Sequence, residues 1–404
     1  MTPSARVQAA IDILDLVIAE AVRGGAPADR VIVEWFRTRR FAGSGDRRAV
    51  RELVFRAIRA CGPVPASGRA AMLRLVADDP ALGALFDGGP HAPAPIVADE
   101  AVADAGVAPA WLEQALAESG IKGEHALALL GRAPLDIRVN TLKADPATLA
   151  LPVPAEAVFG EALPEALRLP AGTSVESWDA FADGLIEVQD AGSQWVGHVA
   201  AAQPGETIVD LCAGAGGKTL ALAAAMGNRG RLIACDASRD RLARLAPRAA
   251  RAGAIVETRL LDGGREIAGL QDLAAAVDAV LVDAPCSGTG TWRRNPEARW
   301  RLNPGELAKL TQLQARLIDI AAGLVKPGGR LVYVTCSLLD AEGAAQIESF
   351  LARAGEGWRA QPIVPTMLST HGTVLGETRG KGLRLAPLRD RTDGFFVAVA
   401  QRLW

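Results

Sequence analysis

The sequence predicts an α/β protein in which a mostly parallel sheet with crossover helices follows an all-helical region and a small mixed module. Three observations carry this. From residue 186 onward, apolar runs of four to six residues alternate with helical segments, as in a parallel sheet buried on both faces. Near the N-terminus, apolar residues instead recur at spacings of three and four, the period of a helix. Between the two lies a stretch rich in Pro, Gly and Ala that reads as a connection. A chain of 404 residues has room for two or three such units.

Taken in order, Val7, Ala10, Ile11, Leu14, Val17, Ile18 and Ala21 mark one helical face, and Val50, Leu53, Val54, Ala57 and Ile58 mark another. These place a helical domain at 1–85. Residues 86–133, with GGPHAPAP at 88–95 and helical pieces around Trp111 to Leu130, read as a linker with short helices. In DIRVNTLK, Ile137, Val139 and Thr141 fall on one face of a strand, which puts a small α/β module at 134–185. The last domain, 186–404, carries the runs TIVDL, RLIAC, IVETRLL, AVLV and RLVYV. Before the last of these, Leu307, Leu310, Leu313, Leu317, Ile320 and Leu324 step as an amphipathic helix stopped by the glycines of KPGG.

Composition excludes several classes. Half the residues are hydrophobic and only 22% are charged, so the chain can bury a core along its length. No run approaches the ~18 apolar residues of a membrane span, and the expectation is a soluble, cytoplasmic monomer with no membrane partner. Cysteines 61, 212, 235, 286 and 336 form no CxxC pair and no zinc spacing, which argues against a disulfide framework or a metal. The net charge of -2 conceals local excesses. Nine arginines stand between Arg30 and Arg59 against Glu34, Asp46 and Glu52, and Arg293, Arg294, Arg299 and Arg301 surround Trp292 and Trp300. Guanidinium groups interleaved with aromatics suit phosphate contacts and base stacking.

The candidate chemistry sits at strand ends, where open α/β sheets bind ligands. Asp210, Asp236, Asp262, Asp283 and Cys336 all fall there. The first strand runs into DLCAGAGGKTL, whose Gly214, Gly216 and Gly217 permit a tight turn and close approach to a ligand. The loop is neither GxGxxG nor GxxxxGK[ST], which disfavours nicotinamide and P-loop readings. Asp236 ends the second strand about 20 residues on, where an acid can accept ribose hydroxyls. A nucleoside cofactor without a pyrophosphate, S-adenosylmethionine, suits this arrangement. Cys286 and Cys336 lie just past two strands whose parallel course brings both to the same rim. Cys61 and Cys235 read as core residues. His91, His125, His198 and His371 are scattered and carry no catalytic expectation.

The motifs RVNTLK (138–143), VQDAGSQW (188–195), CAGAGGK (212–218), DAPCSGTG (283–290), RRNPEARW (293–300), TCS (335–337) and TDGFF (392–396) together resemble the Sun (Fmu) family of RNA cytosine-C5 methyltransferases, over roughly 110 to 404. The resemblance implies a Rossmann-like class I methyltransferase sheet. It assigns S-adenosylmethionine to the loop Cys212, Ala213, Gly214, Ala215, Gly216, Gly217 and Lys218 and to Asp236, Asp262 and Asp283. It makes Cys336 the nucleophile and gives Cys286 a part in product release. The family's loop usually reads CAAPGGK, whereas Gly214 and Ala215 stand here and remove a rigid proline. Residues 36–59 are similar to the helical NusB-like domain of the bacterial rRNA members, which implies an RNA-binding bundle and an rRNA substrate.

The chemistry is consistent with that family. Cytosine C5 is too weakly nucleophilic to take a methyl group directly, so a thiolate first adds to C6. The C5 proton then leaves to a base and the thiolate is eliminated. Asp283 is placed to hydrogen-bond the cytosine edge, while Lys218 and the second arginine cluster supply positive potential that favours a thiolate. The target base is unpaired or flipped out. Spacing alone leaves the nucleophile open, since DNA cytosine methyltransferases use a Pro-Cys pair like Pro285-Cys286. The family resemblance selects Cys336. The alternatives are a DNA methyltransferase and an RNA-binding assembly factor with an inactive methyltransferase domain.

Overall fold

In the computed structural model, the described residues are 1–363, 366–367 and 374–404, so His371 lies outside them. Contacts divide the chain into two compact units: Met1–Arg132 with Thr291–Pro304, and Ala133–Gly290 with Gly305–Trp404.

The first unit is helical. Its main elements are α1 (Pro3–Val22), α2 (Ala28–Arg37), α3 (Ser44–Ala60) and α4 (Gly68–Asp78). Thr2 and Ser67 start α1 and α4 as N-caps, each side chain accepting a bond from a backbone N–H three residues on. The face of α1 read from sequence is buried against α3 and α4 except for half-buried Ile18. The stretch 86–133, read as a linker with short helices, carries helices at Ala110–Glu118 and Glu124–Leu127, and its residues up to Arg132 belong to this unit. Phe86, Val107, Leu112 and Leu116 are buried, Ala103 N–H donates to Ala70 O at 3.1 Å, and Cys61 bridges Ala105. Glycine here serves close packing: a Cβ on Gly62 would lie 2.8 Å from the Gly106 Cα.

Residues 291–304 leave the second unit's chain order to complete the first unit's core, and this corrects the reading of the second arginine cluster as a nucleic-acid surface. Trp292 and Arg299 are fully buried, and Trp300 nearly so. Arg299 donates to the carbonyls of Ile58 and Cys61 at 2.6 Å each, Trp300 Nε1 to Gly62 O at 3.1 Å, and Arg301 to Gly25 O and Ala26 O at 2.6 Å each. Glu297 accepts Ala28 N–H at 2.9 Å, capping α2, whose own N-cap Pro27 offers no side-chain acceptor. Guanidinium forks saturate orphan carbonyls as readily as phosphates, so composition could not separate the two roles.

The first arginine cluster is partly committed as well. Arg37, Arg51 and Arg56 pair with Glu34, Asp29 and Asp79. Arg39 stacks over Trp35, and Arg59 donates to Arg293 O. Arg30, Arg40 and Arg48 are exposed.

The second unit opens with an antiparallel sheet of β1 (Leu135–Val139), β2 (Glu156–Ala157), β3 (Ala166–Leu169) and β4 (Ile186–Val188), in order β2-β3-β1-β4. Thr141 lies past the end of β1, and the strand's polar face is not solvated. Asp136 takes a two-pronged bond from Arg168, and buried Arg138 donates to Gln189 Oε1 at 2.9 Å.

The main sheet contains β5 (Thr207–Asp210), β6 (Arg231–Asp236), β7 (Glu257–Leu260), β8 (Val277–Asp283), β9 (Val325–Thr335) and β10 (Trp358–Gln361). After a separate pair, β11 (Thr366–Met367) and β12 (Val374–Leu375), it resumes with β13 (Glu377–Arg379), β14 (Gly382–Leu385) and β15 (Phe395–Arg402). The order is β13-β14-β15-β9-β8-β5-β6-β7, with β10 also on β15. The five strands β5 to β9 run parallel, and β15 is antiparallel to β9.

Both faces are buried, and alternate residues feed opposite cores. Ile208, Ala279, Leu281, Val332 and Val334 pack with Trp195, Leu222 and Met226. Val209, Ile233, Val280, Val282, Leu331 and Tyr333 pack with Leu317, Ile318 and Ile347. The KPGG stop lies inside the irregular start of β9, because the helix Pro304–Leu324 passes directly into the strand and Gly328 adopts φ +78°. The order reverses between β5 and β8, so a crevice opens where Asp210 and Asp283 end.

Candidate active site

A cleft of about 670 Å³ lies at that crevice, and every residue lining it belongs to the second unit. Its floor is the loop between β5 and the helix Gly217–Met226. Gly214 and Gly216 take φ +56° and +87°, conformations that favour glycine. A Cβ at Gly216 would also stand 2.1 Å from Leu245 Cδ1. The loop is tied to the next strand: Ala213 N–H donates to Cys235 O at 2.8 Å, and Gly214 N–H to Asp236 Oδ2 at 2.8 Å. Asp236 Oδ1 accepts Ser238 N–H at 2.6 Å. Each oxygen of this buried carboxylate thus holds one backbone donor and keeps lone-pair capacity toward the cleft.

Cys212, Ala213, Gly214, Ala215, Gly217, Lys218, Asp236 and Asp283 all line the cleft, while Gly216 shapes the loop from behind. Asp262 stands apart: it is exposed past the end of β7 and lines nothing here. Leu261 and Glu266 take that part of the wall, with Glu266 held in a two-pronged ion pair by Arg316. Asp210 is buried below the loop, accepting Thr219 Oγ1 at 2.6 Å, and burial pushes its carboxyl up to about 7.

Lys218 crosses the cleft to Asp283, Nζ to Oδ2 at 2.7 Å, and lies over the Phe395 ring. Burial opposes its charge, but Asp283 outweighs this together with Cys336 and Asp210, and its pKa rises.

The two strand-end thiols meet. Cys286 Sγ lies 3.3 Å from Cys336 Sγ, and both cysteines are free. The hydrogen bond with Cys336, then burial, holds the Cys286 thiol well above the ordinary range. Burial does the same for Cys212, and raises Cys61 and Cys235 to about 12 as inert core thiols.

The cysteine-bearing loops are stitched together. Gly290 N–H donates to Cys336 O at 2.9 Å, and the hydroxyls of Ser287 and Thr289 each lie 3.2 Å from Ser337 Oγ. Gly394 of TDGFF donates to Gly290 O at 2.8 Å, where a Cβ on Gly290 would lie 2.2 Å from Gly394 O. Asp190 of VQDAGSQW accepts Asp393 N–H. These motifs therefore brace the thiol loops, and VQDAGSQW also lends Gln189 and Ser193 to the cleft. Two further residues went unnoticed in the sequence, buried Glu342 and Gln314, which bond Ser287 and Pro285 on either side of Cys286. Nothing local distinguishes Gln314 from other polar residues on its helix, although Glu342 follows TCS by only a few positions.

The sheet order, glycine loop and strand-end acids define a class I, Rossmann-like methyltransferase. Residues 198–401 match the family described as 16S rRNA methyltransferase RsmB/F, and the chain belongs to that family. It is 39% identical to the probable ribosomal RNA small subunit methyltransferase B of Synechocystis sp., over 72% of this chain and 66% of that protein. It is 35% identical to the ribosomal RNA small subunit methyltransferase B of Klebsiella pneumoniae, over 58% of this chain and 51% of that one. The matches thus span about half to two thirds of the relatives' length. Among solved structures, PH0851 superposes over 100% of this chain and 99% of its own, with a TM-score of 0.74 at 27% identity. A methyltransferase homolog from Pyrococcus horikoshii covers 73% of this chain and 99% of its own, with a TM-score of 0.57 at 28% identity. No helix among the described residues is long and apolar enough to cross a membrane.

Proposed function

We infer that this chain methylates cytosine C5 in RNA, with 16S rRNA the substrate that its relatives' names suggest, through a covalent bond between Cys336 and C6. The observation that carries the reading is the pair of free thiols 3.3 Å apart on the rim of the cleft that holds Asp236, Lys218 and Asp283. Cytosine C5 chemistry needs one thiol to attack and a second group to help restore the base.

The residues fit S-adenosylmethionine. Asp236, whose oxygens meet backbone donors, retains acceptor capacity for ribose hydroxyls, and the glycine loop leaves room for close approach. Bound there, S-adenosylmethionine supplies an electrophilic methyl group. Lys218, paired with Asp283, brings a positive charge to the cleft that both thiols border. Cys286 and Cys336 share a hydrogen bond in which either sulfur can donate. The match of TCS at 335–337 to the family motif favours Cys336 over the Pro-Cys arrangement of the DNA enzymes. Once Cys336 is bonded to carbon, the largest influence holding Cys286 protonated is gone, and Cys286 can take part in returning the base to aromaticity. Asp283, whose second oxygen is not engaged by Lys218, can accept from the cytosine amino group. We also place RNA binding on the helical unit, through exposed Arg30, Arg40 and Arg48.

The test is transfer of tritium from methyl-labelled S-adenosylmethionine to 16S rRNA, followed by bisulfite mapping. Label at a bisulfite-resistant cytosine supports the reading. Label elsewhere, or none with folded protein, overturns it.

A further inference from the structure

Glu342 has no place in the chemistry above, yet it is among the most completely buried charged groups in the protein. It is 0% exposed, and a carboxylate in such a position is retained only when its oxygens are bonded. Those bonds converge on one short segment. Oε1 accepts Ser287 N–H at 2.9 Å and Gln314 Nε2 at 3.0 Å, while Oε2 accepts the Ser287 hydroxyl. Gln314, also fully buried, gives its other Nε2 hydrogen to Pro285 O at 2.8 Å. The residues before and after Cys286 are therefore both gripped, which fixes the backbone that carries its thiol toward Cys336. Glu342 is itself fixed, because its backbone carbonyl accepts Tyr333 OH at 2.7 Å from inside β9. The clamp thus links the strand that ends at Cys336 to the loop that carries Cys286.

We propose that Glu342, braced by Gln314, is a positioning residue that holds the Cys286 thiol against Cys336. It lies outside the cofactor cleft and touches no reacting atom, so it acts through Cys286. Its charge works in the same direction as its geometry, since Glu342 adds to the influences that keep Cys286 a thiol. The part of this role that concerns methyl transfer rests on the cytosine-C5 reading, but the hold on the thiol can be measured without RNA.

The test uses the full chain carrying Glu342→Leu, which keeps much of the side chain's size and removes both acceptor oxygens from Ser287 and Gln314. Alkylation by iodoacetamide is followed peptide by peptide by mass spectrometry. Cys286 should react roughly tenfold faster than in the parent, while buried Cys235 stays protected. Gln314→Met, which frees Pro285 O and removes one of the two donors to Glu342 Oε1 while Ser287 stays bonded, should give a smaller rise of about threefold and serves if Glu342→Leu does not fold. With RNA, Glu342→Leu should lower kcat and leave KM for cofactor unchanged. Unchanged Cys286 reactivity in a folded variant overturns the proposal. So does a parallel rise at Cys235, which would make Glu342 a general support of the fold. A selective rise at Cys286, together with a Cys286→Ala variant and a Cys336→Ala variant that both form no RNA adduct, supports the clamp and overturns the cytosine reading.

Discussion

Residues 283–290 and 293–301 are near neighbours in the chain, and both are dense with residues that chemistry could use. The first stretch carries Asp283 and Cys286 to the cleft. The second carries four arginines and a tryptophan into the helical unit, where Arg299 is fully buried among backbone carbonyls. One segment lines a cleft and the other serves as core. The difference lies in what surrounds them: strand ends that open onto a crevice, against helix ends with unsatisfied carbonyls. A motif's density of reactive side chains therefore says little about whether it is a site until its partners are known.

The largest effect that would sharpen this contrast is on the reactive segment's partner thiol. Cys336→Ala should abolish methyl transfer, a loss of more than about 10³-fold, and no covalent RNA adduct should form. Cys286→Ala should still add and methylate but release slowly, with turnover down by roughly 10²-fold and a protein–RNA band surviving denaturing electrophoresis. Adducts appearing in Cys336→Ala and vanishing in Cys286→Ala would exchange the two roles.

On the structural side, Arg299→Leu should cost about 3 kcal/mol by urea unfolding, because buried carbonyls lose their donors. Its cofactor affinity should stay unchanged by calorimetry. Unchanged stability with weakened RNA binding would return this cluster to the nucleic-acid surface and break the comparison. Truncation is a poorer probe, since a chain starting near residue 100 would strip the cover from Trp292, Arg299 and Trp300.

Smaller effects concern binding. Asp236→Asn should weaken S-adenosylmethionine by about tenfold, or roughly 1.4 kcal/mol, and it replaces an acceptor that also holds Gly214 N–H. Equal affinity would remove Asp236 from the cofactor site. Arg40→Ala with Arg48→Ala should lower the salt slope of RNA binding by about 1 to 2, consistent with the loss of two phosphate contacts. An unchanged slope would make the helical unit a packing partner only.

The sequence by itself determined the elements whose signals are local. The apolar runs of β5, β6, β8 and β9, the helical faces of α1 and α3 and the glycine turn at 214–217 depend on residues within one turn or one strand. Parallel strands then place Asp236, Asp283, Cys286 and Cys336 on one rim without further information. Only the tertiary structure decided which charged groups lose their water. Arg299 meets Ile58 O across 241 residues, Glu342 meets Ser287 across 55, and Arg138 meets Gln189 across 51. Asp262, by contrast, turned outward past β7, the least regular of the runs in sequence and one whose residues are half-buried or exposed. Whether a polar side chain is solvated, clamped or reactive depends on donors and acceptors brought from distant parts of the chain, and no local period encodes them.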